Sequence, residues 1–426
     1  MKTQSQSLWA SRLMAVSLWR AHKTQLIRVL CSQKLLWPTR SPVKCRHDIH
    51  ISHFSLRLFA MPRPLVATID ITALQSNLAL ARRAMPSSKI WAVVKANAYG
   101  HGLASALKGF ADADGLSLLE WDAAIQLREA GWTKPILMLE GVFDATDLQI
   151  ADQHRLQIVV HQDQQIAMLK DAALSSTLSS TLSQPIDVHI KINTGMNRLG
   201  FPVDRVQSVY ALLRSLPCVG KISFMTHFAN AENNHAVLNA DSQYQQFCSA
   251  IQGLDGESSV ANSAAVLHHK DMSAQWIRPG VMLYGASPSN SEAAVYGLRP
   301  AMTLQSQLMA IQTLQAGEFV GYGSLFKADK TTRVGIVACG YADGYPRHAK
   351  AGTPVLVDGQ RVPLIGRVSM DMLTVDVTTL PNVEVGAKVT LWGEGLAIDE
   401  VAAASDTIGY ELMCAIASRV ARAEKN

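Results

Sequence analysis

Eight times between about residues 85 and 285 a short apolar run gives way to a helical pattern, and this rhythm limits the fold more than any other feature. The runs are Ile90–Lys95, Gly115–Leu119, Ile136–Glu140, Gln157–His161, Ile186–Asn193, Ile222–His227, Ser258–Asn262 and Val281–Gly285. Helix-like segments such as Trp121–Ala130, Asp163–Leu174 and Arg205–Leu213 lie between them. Eight strand–helix units over roughly 200 residues match the count of a (β/α)8 TIM barrel. A doubly wound open sheet would carry a GxGxxG loop after its first strand, and none stands there. The low-complexity stretch Ser175–Ser183 reads as a surface loop before the fifth strand.

After Ala286 the texture changes. Alternating apolar segments recur between glycine turns at Thr331–Ala338, Pro354–Val357, Arg361–Ile365, Leu373–Val377 and Lys388–Trp392. They read as a β-rich C-terminal domain that closes with a helix-like stretch, Asp406–Arg422. The expected organisation is a basic extension over 1–60, a barrel domain over 61–290 and a β-rich domain over 291–426. The strand pattern near 65–71 precedes the barrel count and is a candidate to pair with the second domain.

Composition excludes several classes. Apolar residues make up 48% of the chain and charged residues 17%, too apolar for a disordered chain and too regular for a collagen-like one. No uncharged apolar run reaches the roughly 18 residues of a membrane-spanning helix. The six cysteines are scattered and form no CxxC pair, so neither a metal site nor a disulfide framework is expected, and a reducing cytoplasm fits. The net charge of +5 is misleading: residues 1–60 hold ten Lys or Arg against one acid, Asp48. The remaining body holds 29 basic and 33 acidic residues, so no nucleic-acid partner is expected. The leader is rich in Arg and Ser like an organellar transit peptide, but its best apolar stretch, Leu13–Trp19, is too short for a secretory signal. The expectation is that Met61 is the natural start and that residues 1–60 are upstream sequence or a dispensable extension, disordered or not native.

A barrel places its chemistry at the C-terminal ends of its strands. The polar residues there are Lys95, Glu120, Glu140, His161, Asn193, His227, Asn262 with Ser263, and Tyr284. Lys95 has the sharpest context, WAVVKANAYGHG over Trp91–Gly102. An apolar strand carries the amine to the barrel mouth, and the small residues after it let backbone approach a ligand closely. A lysine stripped of water loses its proton more readily and becomes a candidate Schiff-base nucleophile.

This segment resembles the pyridoxal-phosphate lysine motif of the alanine racemases. The resemblance continues in order through KINTGMNRLGF (Lys191–Phe201), THFA (Thr226–Ala229), ANSAA (Ala261–Ala265), IRPGVMLYG (Ile277–Gly285), VGYG (Val320–Gly323), GYADGYPR (Gly340–Arg347), GRVSMD (Gly366–Asp371) and GYEL (Gly409–Leu412). It covers about 62–422 and is strongest to the proteobacterial type, including its catabolic branch.

The resemblance implies an isomerase that interconverts L- and D-alanine with two bases, Lys95 on the D-alanine side and Tyr322 on the L-alanine side. The cofactor is pyridoxal 5'-phosphate, held by Lys95. Its phosphate is assigned to Tyr99, Ser263, Tyr410 and the backbone N–H groups of Gly280 and Val281. Arg278 would face the pyridine nitrogen and, as a pure donor, leave it unprotonated. His227 is the expected relay between Tyr322 and Arg278. Arg198 and Met370 would bind the substrate carboxylate, and Lys191 is a candidate for carbamylation, although Asn193 stands where many relatives carry Asp. Tyr341, Tyr345, Arg347, Arg367 and Asp371 resemble residues of an access channel. The RVxR motif near the C-terminus reads Arg419–Arg422, and its Ala421 in place of a common Pro is expected to matter little. Tyr322 is expected to reach the site of a second subunit, so the implied partners are alanine and a homodimer mate with shared active sites. The alternative reading is a broad-spectrum or serine racemase of the same fold.

Overall fold

The computed structural model describes residues 63–174, 182–233, 235–272, 274–289 and 292–426. The expectations for residues 1–60, and for most of the Ser175–Ser183 loop, lie outside the described residues.

Eight parallel strands close a barrel. In sheet order they are Lys89–Val93, Gly115–Leu118, Ile136–Met138, Gln157–Val160, Ile186–Asn193, Val219–Met225, Ser258–Ser259 and Trp276–Ile277, and the last pairs with the first. Helices cover the outside, so the strands are buried on both faces and their sequences are almost continuously apolar. Inside, Trp91 stacks on Trp276 with ring centroids 4.2 Å apart. The Trp91 ring lies over Gly115, where a Cβ would come within 2.3 Å of it, so the neighbouring strand needs glycine there.

The helices start where side chains can cap them. Asp70 accepts the Ala73 N–H at the head of Ile71–Ala84. Asp144 and Asp147 form a reciprocal capping box on Ala145–Gln153.

Six strands of the second domain, Met302–Leu314, Thr332–Val337, Leu373–Asp376, Gln360–Ile365, Pro354–Val357 and Lys388–Trp392, pair antiparallel in a closed ring. Val66–Asp70 pairs antiparallel with Met302–Leu314 and parallel with Ala421–Lys425. The first and last described strands thus extend the C-terminal sheet, while the barrel lies between them in sequence.

Two expectations are corrected, and one strand was missed. The eighth barrel strand is Trp276–Ile277, and Val281–Tyr284 is a 3-10 helix. Pro279 and Gly280 break the chain between the two, and a four-residue apolar run carries no period that separates strand from helix. Asp406–Arg422 is no single helix: within it only Gly409–Cys414 is helical and a strand, Ala421–Lys425, begins before its end, while a further short helix, Ile398–Ala404, precedes it. The 13-residue strand Met302–Leu314, central to the second domain, was not legible, because its second half alternates weakly and its tail is exposed.

Candidate active site

Lys95 stands just past the strand Lys89–Val93 and opens a left-handed turn. Ala96, Asn97, Ala98 and Tyr99 all have φ between 50° and 54°. Such backbone costs roughly 1–2 kcal/mol per non-glycine residue, so four in succession must be held by their surroundings. Glu120 Oε1 accepts the Ala96 N–H at 2.8 Å, and Asn97 Oδ1 accepts the Leu103 N–H at 3.2 Å. The turn ends at Gly100, with φ 78°, where a Cβ would meet the Met413 carbonyl at 2.1 Å. The helix Gly409–Cys414 of the second domain therefore presses directly on this turn.

The turn delivers Tyr99 to a polar cradle. Tyr99 stacks on Tyr284 with centroids 4.6 Å apart, and Tyr410 lies 6.1 Å away, tilted. The Tyr284 hydroxyl donates to the Val93 carbonyl at 2.8 Å, tying the stack to the Lys95 strand. A Cβ on Gly280 would meet the Tyr99 hydroxyl at 2.5 Å, so this backbone can approach only as glycine. Ser263, buried at the first position of a helix capped by Asn262, accepts N–H bonds from Gly280 at 2.9 Å and Met282 at 3.3 Å. Burial pushes the Tyr99 and Tyr410 phenols up, so both remain neutral donors.

Beside this neutral cradle lies a cationic wall. Arg278 is only 5% exposed, and burial pulls its guanidinium down to about 10. Among the described residues its hydrogen-bond partners are neutral: Ser259 Oγ at 2.5 Å and the Thr226 carbonyl. Burial, then Arg278, Arg198 and Lys95, pull the Lys191 amine down to about 8. Burial also holds His227 well below its ordinary value, helped by Arg278, Lys191, Arg198 and Lys95 in that order. Four cations thus act on one half-buried imidazole at the barrel mouth.

Residues 69–288 match the family described as alanine racemase, N-terminal domain, and residues 301–424 match its C-terminal domain. The chain belongs to the alanine racemase family. It is 55% identical over 367 residues to an alanine racemase of Janthinobacterium sp. (strain Marseille), covering 86% of this chain and all of that protein. A catabolic alanine racemase of Klebsiella aerogenes is 51% identical over 362 residues, covering 84% of this chain and 99% of that one. The crystal structure of biosynthetic alanine racemase from Pseudomonas aeruginosa superposes with a TM-score of 0.81 at 44% identity, over 85% of this chain and all of that one.

Not every residue expected from the racemase motifs gathers at the mouth. Tyr322 is 70% exposed on a ribbon of two short strands, Phe319–Val320 and Phe326–Lys327. Among the described residues it makes no hydrogen bond to His227 or Arg278, so the single chain does not complete the expected relay. Met370 is 53% exposed on a neighbouring loop, where its carbonyl accepts the Ala342 N–H at 3.0 Å. Arg198 is exposed, on the loop that Asn193 organises by accepting the N–H groups of Gly195 and Asn197.

One channel expectation changes. Tyr345 is 1% exposed and stacks on Trp392, centroids 6.0 Å apart, so it belongs to the core of the second domain. Asp371 is engaged by Arg419 at 2.7 Å and Arg63 at 3.7 Å, and the same arginines bind the buried Asp343. Tyr284, expected at a strand end, is instead a fully buried support for Tyr99.

Sequence reasoning missed Ser259, the hydroxyl that meets Arg278; a serine ending a buried strand two residues before Ala261 was the available signal. It quoted His101 and Arg422 within motifs without giving either a role; Arg422 Nε donates to the Gly100 carbonyl at 2.8 Å.

Proposed function

We propose that this chain is a pyridoxal-phosphate-dependent isomerase that interconverts L-alanine and D-alanine, and that it works as a homodimer. The observation that carries the reading is the buried Arg278 with only neutral partners, beside Lys95 and a cradle of neutral donors. An aromatic phosphate fits both halves. Ser263, Tyr99, Tyr410 and the backbone of Gly280 and Val281 would hold its phosphate, and Arg278 would donate to its ring nitrogen. The glycine at 280 that keeps the Tyr99 hydroxyl close supports this fit. When bound, the cofactor supplies an electron sink for the charge left on the substrate Cα.

The chain supplies the rest. Lys95 would hold the cofactor and move the proton on the D-alanine face. Tyr322, supplied by a second copy, would move it on the L-alanine face. The exposed position of Tyr322, flanked by exposed Phe319, Leu325, Met370 and Met372, supports its use across a two-fold interface. Arg198 and the Met370 N–H would bind the substrate carboxylate. His227, kept neutral by burial and by four cations, would pass a hydrogen bond between Tyr322 and Arg278. Lys191, pulled down to about 8, loses its proton more readily than a free lysine, and its neutral form would add to carbon dioxide with loss of a proton; the carbamate would then be an anionic neighbour for Arg198.

The relatives' names favour alanine over a broad-spectrum or serine substrate. Among the described residues no helix is long and apolar enough to cross a membrane. Cys218, Cys248, Cys339 and Cys414 are free, which supports a reducing cytoplasm. The test is a panel of L- and D-amino acids incubated with purified chain and pyridoxal 5'-phosphate. Racemisation of alanine above all others is expected; a faster turnover of serine or lysine, or none of alanine, would overturn the reading.

A further inference from the structure

The left-handed turn after Lys95 needs something to hold it, and a buried histidine with no part in the proposed mechanism lies against it. His101 is 1% exposed and sits two residues past the turn. Its Nδ1 lies 2.9 Å from the Tyr99 carbonyl and 3.1 Å from the Ala98 carbonyl. Carbonyls only accept, so Nδ1 carries the proton. Burial pulls the imidazole down to about 4, with Arg422 adding to the effect, so at neutral pH the ring has this single N–H to give. Nε2 is buried without a hydrogen-bond partner.

The carbonyls of the turn divide into two groups. Ala96, Asn97 and Ala98 receive backbone N–H groups from Gly100, Gly102 and His101. Tyr99 and Gly100 receive none among the described residues; the His101 ring serves the first and Arg422 Nε the second. The imidazole also packs against Tyr284 at 4.7 Å, on the ring that stacks on Tyr99. One side chain thus contacts the turn's last carbonyls and the support of its terminal phenol.

We propose that His101 is a positioning residue of the cofactor site, whose Nδ1–H holds the Ala96–Tyr99 turn in its left-handed form and so keeps Lys95 and the Tyr99 hydroxyl in register with Gly280. The inference rests on the proposed function, because register matters only if Lys95 and Tyr99 hold the cofactor. Arg422 secures the following carbonyl from the second domain's last strand, so the turn is fastened from both domains.

The experiment compares His101→Asn, His101→Gln and His101→Leu as purified full-length chains. Asparagine places an amide N–H the same number of bonds from Cα as Nδ1; glutamine places it one bond further; leucine has none. Apoprotein is titrated with pyridoxal 5'-phosphate and followed by its visible absorbance. Solvent deuterium exchange into D-alanine and the KM for alanine are measured on the reloaded enzyme. His101→Asn is expected to stay within about threefold of the parent. His101→Leu and His101→Gln are expected to bind the cofactor about tenfold more weakly, as the loss of one buried hydrogen bond predicts, and to exchange more slowly with little change in KM. If the leucine chain does not fold, the Asn–Gln pair carries the comparison. Equal losses in Asn and Gln, or none in any variant, would overturn the proposal. A parent chain that binds the cofactor but does not racemise alanine would instead overturn the proposed function.

Discussion

At the scale of residues, the proposed mechanism gives one amine at the barrel mouth and one exposed phenol separate tasks. Lys95→Ala should abolish both the cofactor's visible absorbance and nearly all racemisation, since one side chain serves as anchor and base; absorbance that persists with full activity would refute the assignment. Tyr322→Phe should slow both directions together, because the enantiomers are equally stable and the ratio of forward to reverse kcat/KM stays at unity. The asymmetry belongs in isotope exchange. D-alanine should still take up solvent deuterium through Lys95, whereas uptake into L-alanine should fall much further. Equal loss on the two enantiomers would mean that the bases do not divide the faces. The motif around Lys95 was legible because apolar strand, lysine and small residues adjoin in sequence. The Ser259–Arg278 contact was not, because it joins neighbouring strands 19 residues apart.

At the scale of elements, the short helices of the second domain hold parts of the site. Asp399 begins one of them and accepts the Ser287 N–H at 3.0 Å, fastening the end of the barrel segment to the helix pair that carries Tyr410. Burial raises its carboxyl from 3.8 to about 6. The folded chain therefore favours the protonated form. That contribution to stability is complete below the unfolded value of 3.8 and is lost as pH rises through about 6. Asp399→Asn keeps an acceptor for Ser287 and removes the charge. Its Tm should exceed the parent's above pH 6 and converge with it near pH 4, read by thermal scans across that range. A Tm difference that does not vary with pH would show that the carboxyl does not titrate there. The stretch 406–422 was read as one helix, whereas only Gly409–Cys414 is helical, because a six-residue helix is too short to show a clear period.

For the whole molecule, the exposed position of Tyr322 supports the proposal that assembly is part of the chemistry. A Lys95→Ala chain and a Tyr322→Ala chain should each be inactive. In a mixed isologous dimer one site carries both lesions and the other neither, so co-refolding equal amounts should restore roughly a quarter of the parent activity. No recovery despite demonstrated subunit exchange would place both bases on one chain. Removal of residues 2–60 should leave kcat intact, since a full-length relative aligns within 86% of this chain and the family match begins at residue 69. A large fall in kcat of the purified truncated enzyme would contradict that.

Read alone, the sequence determined the two architectures, the family and the Lys95 motif. Each rests on information local in the chain: the period of apolar residues, the placing of glycines and runs of ten or so residues. Most strand positions followed from the same cause, since a strand buried on both faces must be apolar throughout. What only the tertiary structure decided depends on residues distant in sequence. The Val66–Asp70 strand lies beside Met302–Leu314 and Ala421–Lys425. The Gly100 turn is closed by Met413 and Arg422. Tyr345 was assigned by motif to the channel and Tyr284 by its strand end to the mouth, but burial gave both structural places. Backbone periodicity sets which elements form; which side chain is left free for chemistry is set by what the packed neighbours leave uncovered.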